Sequence, residues 1–337
     1  MIRAMGIAIL IVNWNGLDDT KACLASLAEH CKDADILLLE NGSGQEGMLR
    51  AILDDRTELF VSKENLGFGG GNNILIKAAI KRGYDFVFLL NNDTEVTEGF
   101  LDEPMRLMED PKVGFVNSKL ILKDSGKIDT AGHWHLNSGD VVPAGRGRPA
   151  SEFSENRVIL SGCAAALLLR VKMLEDIGLF REEFFLGYED VDLTYRASVM
   201  GWKGVYCAGS VVRHNLNASI NKIRDRNYYV TSQRNSMLAY LINTPVIVIL
   251  LNLPWIILKS ISIFLFSICN FKWRHATVHL SAAWKMIKSA KSVLSSRKAT
   301  ARWRSGEWNY VWKNQRNFIP VYLNMDKTLL NQFNNIK

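Results

Sequence analysis

The stretch FVFLLNNDTEVTEGF, Phe86 to Phe100, is the key to the architecture. Five apolar residues, Phe86 to Leu90, stop abruptly at Asn91, Asn92 and Asp93. An apolar run of that length bounded by turn residues reads as a strand buried on both faces. A carboxylate at the mouth of such a strand needs a reason, because a buried charge is costly unless it is paired or holds an ion. The question is what Asp93 holds.

Three similar runs precede it in the chain: GIAILIVNW (Gly6 to Trp14), ADILLLENG (Ala34 to Gly42) and TELFVSKEN (Thr57 to Asn65). Each ends in polar turn residues and is followed by a helix-like pattern. Four buried strands joined by crossover helices predict an α/β fold with a mainly parallel central sheet. In such sheets ligands sit beyond the carboxyl ends of the strands. Asn13, Asn15, Glu40, Asn41, Asn65 and Asp93 all fall there, and six polar residues at one end of four strands read as a pocket rim.

Further on, VILSGCAAALLLRVKML (Val158 to Leu174) reads as a glycine-containing strand entering a helix. Val191, Leu193, Tyr195 and Val199 then recur at near-helical spacing, with Gly201 as a stop, so Glu189 and Asp190 open a helix. Acids in a first turn complement the helix dipole for a few tenths of a kcal/mol, roughly, and that alone accounts for them. Arg196, further along the same helix, pairs with these acids or with phosphate, or lies on the surface. His133 and His135 alternate as on a strand, His275 and His279 share a helical face, and both pairs read as structural.

The charge is unevenly placed. The net charge is +7, yet from Asn270 onward there are thirteen Lys and Arg against two acids, Glu307 and Asp326. A basic tail therefore succeeds a slightly acidic body. Directly before the tail, TPVIVILLNLPWIILKSISIFLFSIC (Thr244 to Cys269) is long enough to cross a bilayer at roughly 20 residues per span. Lys259, near its middle, would be costly in a spanning helix. The expectation is an in-plane or re-entrant helix followed by a basic amphipathic segment, Val278 to Leu294, on anionic lipid. A tilted span and a buried helix are the alternatives. The five cysteines show no CxxC spacing and no long apolar leader precedes the first strand, which favours a reducing, cytoplasmic setting.

In order, IVNWNG (Ile11 to Gly16), ENGSG (Glu40 to Gly44), ENLGFGGGNN (Glu64 to Asn73), LLNNDTEV (Leu89 to Val96), FFLGYEDVDLTYRASVMGWK (Phe184 to Lys203), VVRHNLNAS (Val211 to Ser219) and YYVTSQRN (Tyr228 to Asn235) resemble the family 2 inverting glycosyltransferases of GT-A fold, in their bacterial rhamnosyltransferase-like branch. The resemblance runs from about residue 7 to 235. It implies a catalytic domain over residues 1–240 and a nucleotide-diphospho-sugar donor held over the strand ends, while the apolar run and basic tail make residues 241–337 a helical, membrane-associating region.

The same resemblance implies the roles of individual residues. Asn91 to Asp93 matches the Asp-x-Asp motif with Asn in its first place, leaving Asp93 and His214 to bind a divalent metal, Mn²⁺ or Mg²⁺. Asn13, Asn15, Glu40, Asn41, Asn65, Gly69, Gly70, Asn73, Asn91 and Asn92 join Asp93 around the donor. Glu40 departs from the family's usual Asp. NLGFGGGNN is too dense in glycine for a dinucleotide fingerprint; it reads as a permissive loop approaching the ligand, or as a flexible turn. Asp190 matches the general base, with Glu189 beside it. One base suffices, because a departing diphosphate needs no proton whereas a glycosidase needs a second carboxyl as acid.

The implied function is transfer of a sugar, with inversion, to a lipid-linked or growing glycan acceptor at the cytoplasmic face of the cell membrane. Deoxythymidine-diphosphate-rhamnose is the donor that the branch suggests. A hydrolase would want a second carboxyl across a cleft, and Glu189 is adjacent to Asp190. A nucleic-acid binder would use the basic tail with Trp284, Trp303, Trp308 and Trp312, but leaves the strand-end residues unexplained. No nucleic-acid partner is therefore expected.

Overall fold

The structure is a computed structural model that describes residues 6–216, 225–269, 273–299 and 308–323. The strands are β1 (Ile7–Asn13), β2 (Asp35–Asn41), β3 (Thr57–Ser62), β4 (Phe86–Leu90), β5 (Thr94–Val96), β6 (Val113–Leu122), β7 (Ile128–Thr130), β8 (His133–His135), β9 (Val141–Pro143), β10 (Arg157–Ile159), β11 (Ala166–Arg170) and β12 (Lys203–His214). Helices of the first 216 residues are α1 (Leu17–His30), α2 (Glu46–Arg50), α3 (Gly67–Arg82), α4 (Asp102–Leu107), α5 (Val171–Ile177) and α6 (Glu189–Val199). Beyond them run α7 (Arg226–Asn243), α8 (Val246–Cys269), α9 (Trp273–Lys288), α10 (Ala290–Ala299), α11 (Trp308–Asn314) and α12 (Phe318–Leu323).

The main sheet runs β10-β12-β6-β11-β4-β1-β2-β3. Strands β3, β2, β1 and β4 are mutually parallel; β1, β2 and β4 are buried as their apolar runs predict, whereas β3, expected to be buried too, is the sheet edge and has no buried residue. β11 enters antiparallel between β4 and β6, and β12 returns parallel to β6. Because side chains alternate along a strand, each strand feeds two cores. Ala8, Leu10, Leu37, Leu39, Val87 and Leu89 pack with Leu75, Ile76 and Ala79 of α3. Ile9, Ile11, Ile36, Leu38, Phe86 and Phe88 pack with Cys23 and Leu27 of α1 on the other face.

Two expectations change here. The segment from Val158 is two strands, with Gly162 and Cys163 in the turn between β10 and β11. A side chain at Gly162 would meet Leu167 at 2.8 Å and Asn117 at 2.9 Å, so the chain passes there only as glycine. The glycine-rich NLGFGGGNN is not a loop before a helix but the opening of α3 itself. Its glycines serve close packing: a Cβ on Gly71 would stand 3.1 Å from Leu39, and one on Gly69 3.1 Å from Phe180. Gly67 alone of this run is left-handed, at φ 71°, with the Phe185 carbonyl against it.

The C-terminal helices dock on this body. Arg316 exchanges backbone hydrogen bonds with His135 and Asn137, and α9 packs along α7 with Val278 and Ala282 buried. On α8, Asn252 is buried and donates to Tyr240 and Gln315, while Lys259 Nζ lies 2.8 Å from Asp140. The polar residues that interrupt the apolar run thus point at the protein, and the cost expected of an unpaired Lys259 in lipid does not arise. Leu250, Leu253, Ile257, Ile261 and Leu265 face outward, exposed. Among the described residues, Val246–Ser267 is the one helix long and apolar enough to cross a membrane.

Candidate active site

The polar ends of β1, β2 and β4 come together as the parallel register requires. Asn13 is fully buried, and its Oδ1 accepts from Thr20 Oγ1 (2.9 Å), Gly16 N (3.3 Å) and Asn92 Nδ2 (3.4 Å). Asn92 also donates to Thr20 Oγ1 and the Gly16 carbonyl, so these two amides brace the β1 and β4 turns. Asn15 is exposed, with φ 54° at the tip of the β1 turn. Asn41 accepts from Leu66 N and donates to Asn65 Oδ1 and the Gly67 carbonyl, which fastens the entrance of α3 to β2.

Glu40 is buried and folds back on its own turn, accepting from Ser43 N (2.6 Å) and Ser43 Oγ. Asn73, expected on the donor, has both ends of its amide on the Phe180 backbone, at 2.9 and 3.0 Å, and it holds the segment leading into α6. Asn91 differs from these: its Oδ1 is buried with no hydrogen-bond partner.

Asp93 meets His214 through sheet pairing. β5 runs antiparallel to the end of β12, setting His214 opposite Thr94, and Asn215 N donates to the Asp93 carbonyl at 2.8 Å. His214 Nε2 then lies 3.2 Å from Asp93 Oδ1. Its Nδ1 lies 2.7 Å from Asp129 Oδ2, and Asp129 is held from the other side by Arg146 at 2.6 Å. Burial works against charge on the imidazole, but Asp129 and Asp93 push its pKa up to about 10. Burial opposes ionisation of Asp129 as well, yet Arg146 and His214 hold its carboxyl below the usual range.

Asp190 stands at the start of α6, where Ala164 N reaches its Oδ2 at 3.1 Å and Val191 N its Oδ1 at 2.7 Å. It is partly exposed, whereas Glu189 is 7% exposed with one carboxyl oxygen unpartnered. Burial, then the charge of Asp190, pushes Glu189 well above the ordinary carboxylate range. The two acids are unlike: Glu189 is buried and held toward its protonated form, whereas Asp190 is partly exposed. Arg196, read as a surface residue among other roles, is buried, donating to the Ile177 and Leu179 carbonyls with Asp192 at 3.4 Å.

Sequence reasoning missed Asp129, Arg146, His133 and Cys163. The structure supports a structural reading for His135, whose Nε2 is 2.7 Å from Ser161 Oγ and whose ring packs on Tyr195. His133 departs from that reading, because it lies beside Asp190 and Cys163 with ligand-type atoms within 4.8 Å of one another. Burial, then the Asp190 and Asp129 carboxylates, raise the Cys163 thiol well above its usual value. His133 was visible in its strand-like alternation with His135 but was read as structural; nothing in the local sequence marked Asp129, Arg146 or Cys163.

A mixed sheet in this strand order, layered between helices, is of the GT-A class of folds. A mannosyltransferase from Pyrobaculum calidifontis, solved with GDP-Man and Mn²⁺, shares this fold at a TM-score of 0.52 and 13% identity, covering 97% of this chain and 83% of that one. The model of the glycosyltransferase-like family 2 matches residues 4–229, and the chain belongs to that family. Among curated relatives, the O-antigen biosynthesis protein RfbC of Myxococcus xanthus is 28% identical over 55% of this chain and 15% of its own length. The low-salt glycan biosynthesis hexosyltransferase Agl10 of Haloferax volcanii is 22% identical over 57% of this chain and 61% of its own length. The chain thus spans less than two thirds of the length of either.

Proposed function

We propose that the protein transfers a sugar, with inversion, from a nucleotide-diphospho-sugar to a lipid-linked or growing glycan. The observation that carries the reading is the convergence of Asp93 Oδ1 and His214 Nε2 at 3.2 Å on the strand-end rim. The donor set fits a divalent cation that displaces the proton between Asp93 and His214: one carboxylate oxygen and one imidazole nitrogen, the imidazole oriented through its other nitrogen by Asp129. A nitrogen ligand favours Mn²⁺ over Mg²⁺. When bound, the cation would neutralise charge developing on the departing diphosphate.

The remaining steps belong to the chain's own groups. Asp190 accepts the proton of the acceptor hydroxyl, which attacks the anomeric carbon from the face opposite the diphosphate and so inverts it. Glu189 is buried and held toward its protonated form, and Asp192 is tied to Arg181 and Arg196, which leaves Asp190 as the partly exposed carboxylate of the first turn. The nucleotide lies over Asn13, Asn15, Glu40, Asn41, Asn65, Gly69 and Gly70, with the unpartnered Asn91 Oδ1 as a polar contact awaiting a ligand. The relatives' roles in O-antigen and low-salt glycan biosynthesis support a cell-surface glycan as product.

The exposed apolar face of α8 and the basic tail support attachment to an anionic membrane from its cytoplasmic side. A panel of nucleotide sugars led by deoxythymidine-diphosphate-rhamnose, with Mn²⁺ and mass detection of the released nucleotide, tests the activity. Release that depends on the cation is expected. Thermal stabilisation by an oligonucleotide, with none by UDP or dTDP in Mn²⁺, would overturn the proposal.

A further inference from the structure

We propose that His133, Cys163 and Asp190 form a second cation site, suited to a thiophilic divalent ion such as Zn²⁺, which arrests transfer by occupying the carboxylate that receives the acceptor's proton. The arrest rests on the base role proposed for Asp190; the site itself does not.

The three residues come from separate segments: His133 from β8, Cys163 from the turn before β11, Asp190 from the first turn of α6. One ligand atom from each lies within 4.8 Å of the other two. Zinc bonds of about 2.0 to 2.3 Å in a tetrahedron set ligand atoms roughly 3.3 to 3.8 Å apart. Side-chain rotations of about 1 Å close the difference. Three protein ligands leave the fourth position open, the pattern of a site accessible to solvent rather than a sealed structural one.

Each ligand is also oriented from behind. Ser161 Oγ lies 3.3 Å from His133 Nδ1, which leaves Nε2 as the ligand nitrogen, and the same hydroxyl is anchored by His135 Nε2 at 2.7 Å. Ala164 N fixes Asp190 Oδ2, and Cys163 N donates to Asn117 Oδ1. Such outer contacts set the tautomer and direction of metal ligands. The ligand chemistry separates this set from Asp93 and His214. A thiolate and an imidazole prefer Zn²⁺ or Co²⁺, whereas an oxygen-rich set completed by diphosphate prefers Mn²⁺ or Mg²⁺. Binding exchanges the Cys163 S–H bond for a sulfur–metal bond and releases the proton to solvent, with no change of oxidation state.

Co²⁺ titration of the full-length protein provides the test, since a thiolate-to-cobalt charge-transfer band in the near ultraviolet reports only a sulfur ligand. One equivalent should develop the band, Zn²⁺ should abolish it, and Asp93→Ala should retain it. Cys163→Ser should lose it with an unchanged melting temperature, and His133→Gln should weaken Co²⁺ binding by tenfold or more. No band in the wild type, or a band undiminished in both variants, would overturn the site while leaving the base role of Asp190 standing. In saturating Mn²⁺, Zn²⁺ should lower transfer at least tenfold in the wild type and spare Cys163→Ser. Cys163-dependent binding with undiminished transfer would overturn the arrest and the base role with it.

Discussion

His214 Nε2 stands 3.2 Å from Asp93 Oδ1, although His214 ends β12 and Asp93 lies in the turn between β4 and β5, far apart in the chain. The antiparallel pairing of β5 with β12 creates that approach, and Asp129 on the opposite ring nitrogen fixes its direction. A carboxylate and an imidazole aimed at one point at the strand-end rim account for the polar residue that ends the apolar run at β4.

Replacing Asp93 with Ala should remove the cation dependence of nucleotide binding and leave the fold intact, because the side chain sits beyond the strand rather than in the core. Titration of UDP or dTDP with and without Mn²⁺ measures it. Unchanged affinity in Mn²⁺ would refute the assignment of Asp93 to the cation.

Asp190→Asn keeps size and much of the hydrogen bonding to Ala164 N and Val191 N but cannot take a proton. Transfer should fall by roughly 10² or more, the scale of general-base catalysis, with nucleotide affinity preserved. Glu189→Gln should cost much less turnover. The reverse order in steady-state assays would assign the base to Glu189.

Glu189 gives stability a definite pH dependence. Its folded pKa is raised from 4.5 to about 8 by burial and then by Asp190, so the folded state holds the proton more tightly than the unfolded chain. The stabilisation is complete below about pH 4.5 and is lost as pH rises through about 8. Glu189→Gln removes this titration and should flatten the decline of melting temperature across that window. A wild type whose melting temperature rises from pH 5 to 8, with the variant parallel to it, would contradict the burial of an uncompensated carboxyl.

Ile257 is 49% exposed on the outer face of α8. Ile257→Glu should reduce co-sedimentation with anionic vesicles by about tenfold or more, since sinking one such side chain into lipid is worth roughly 1.5–3 kcal/mol. Nucleotide binding should not change. Equal partitioning of the two proteins would place the membrane contact elsewhere.

Local sequence was enough to specify the layout. The continuous apolar runs at β1, β2 and β4 specify strands buried on both faces, and their shared polar termini follow from parallel pairing. The acids at Glu189 and Asp190 mark the start of α6 in the same local way. What those termini do was settled by tertiary contacts alone. Asn73 looks like its neighbours in the chain yet spends its amide on Phe180. His133 looks like His135 yet lies beside Asp190. Lys259 looks like a fault in an apolar helix until Asp140 arrives from the β8–β9 hairpin. In each case the deciding partner is distant in sequence, and burial, pairing and pKa depend on distances in space that no local spacing records.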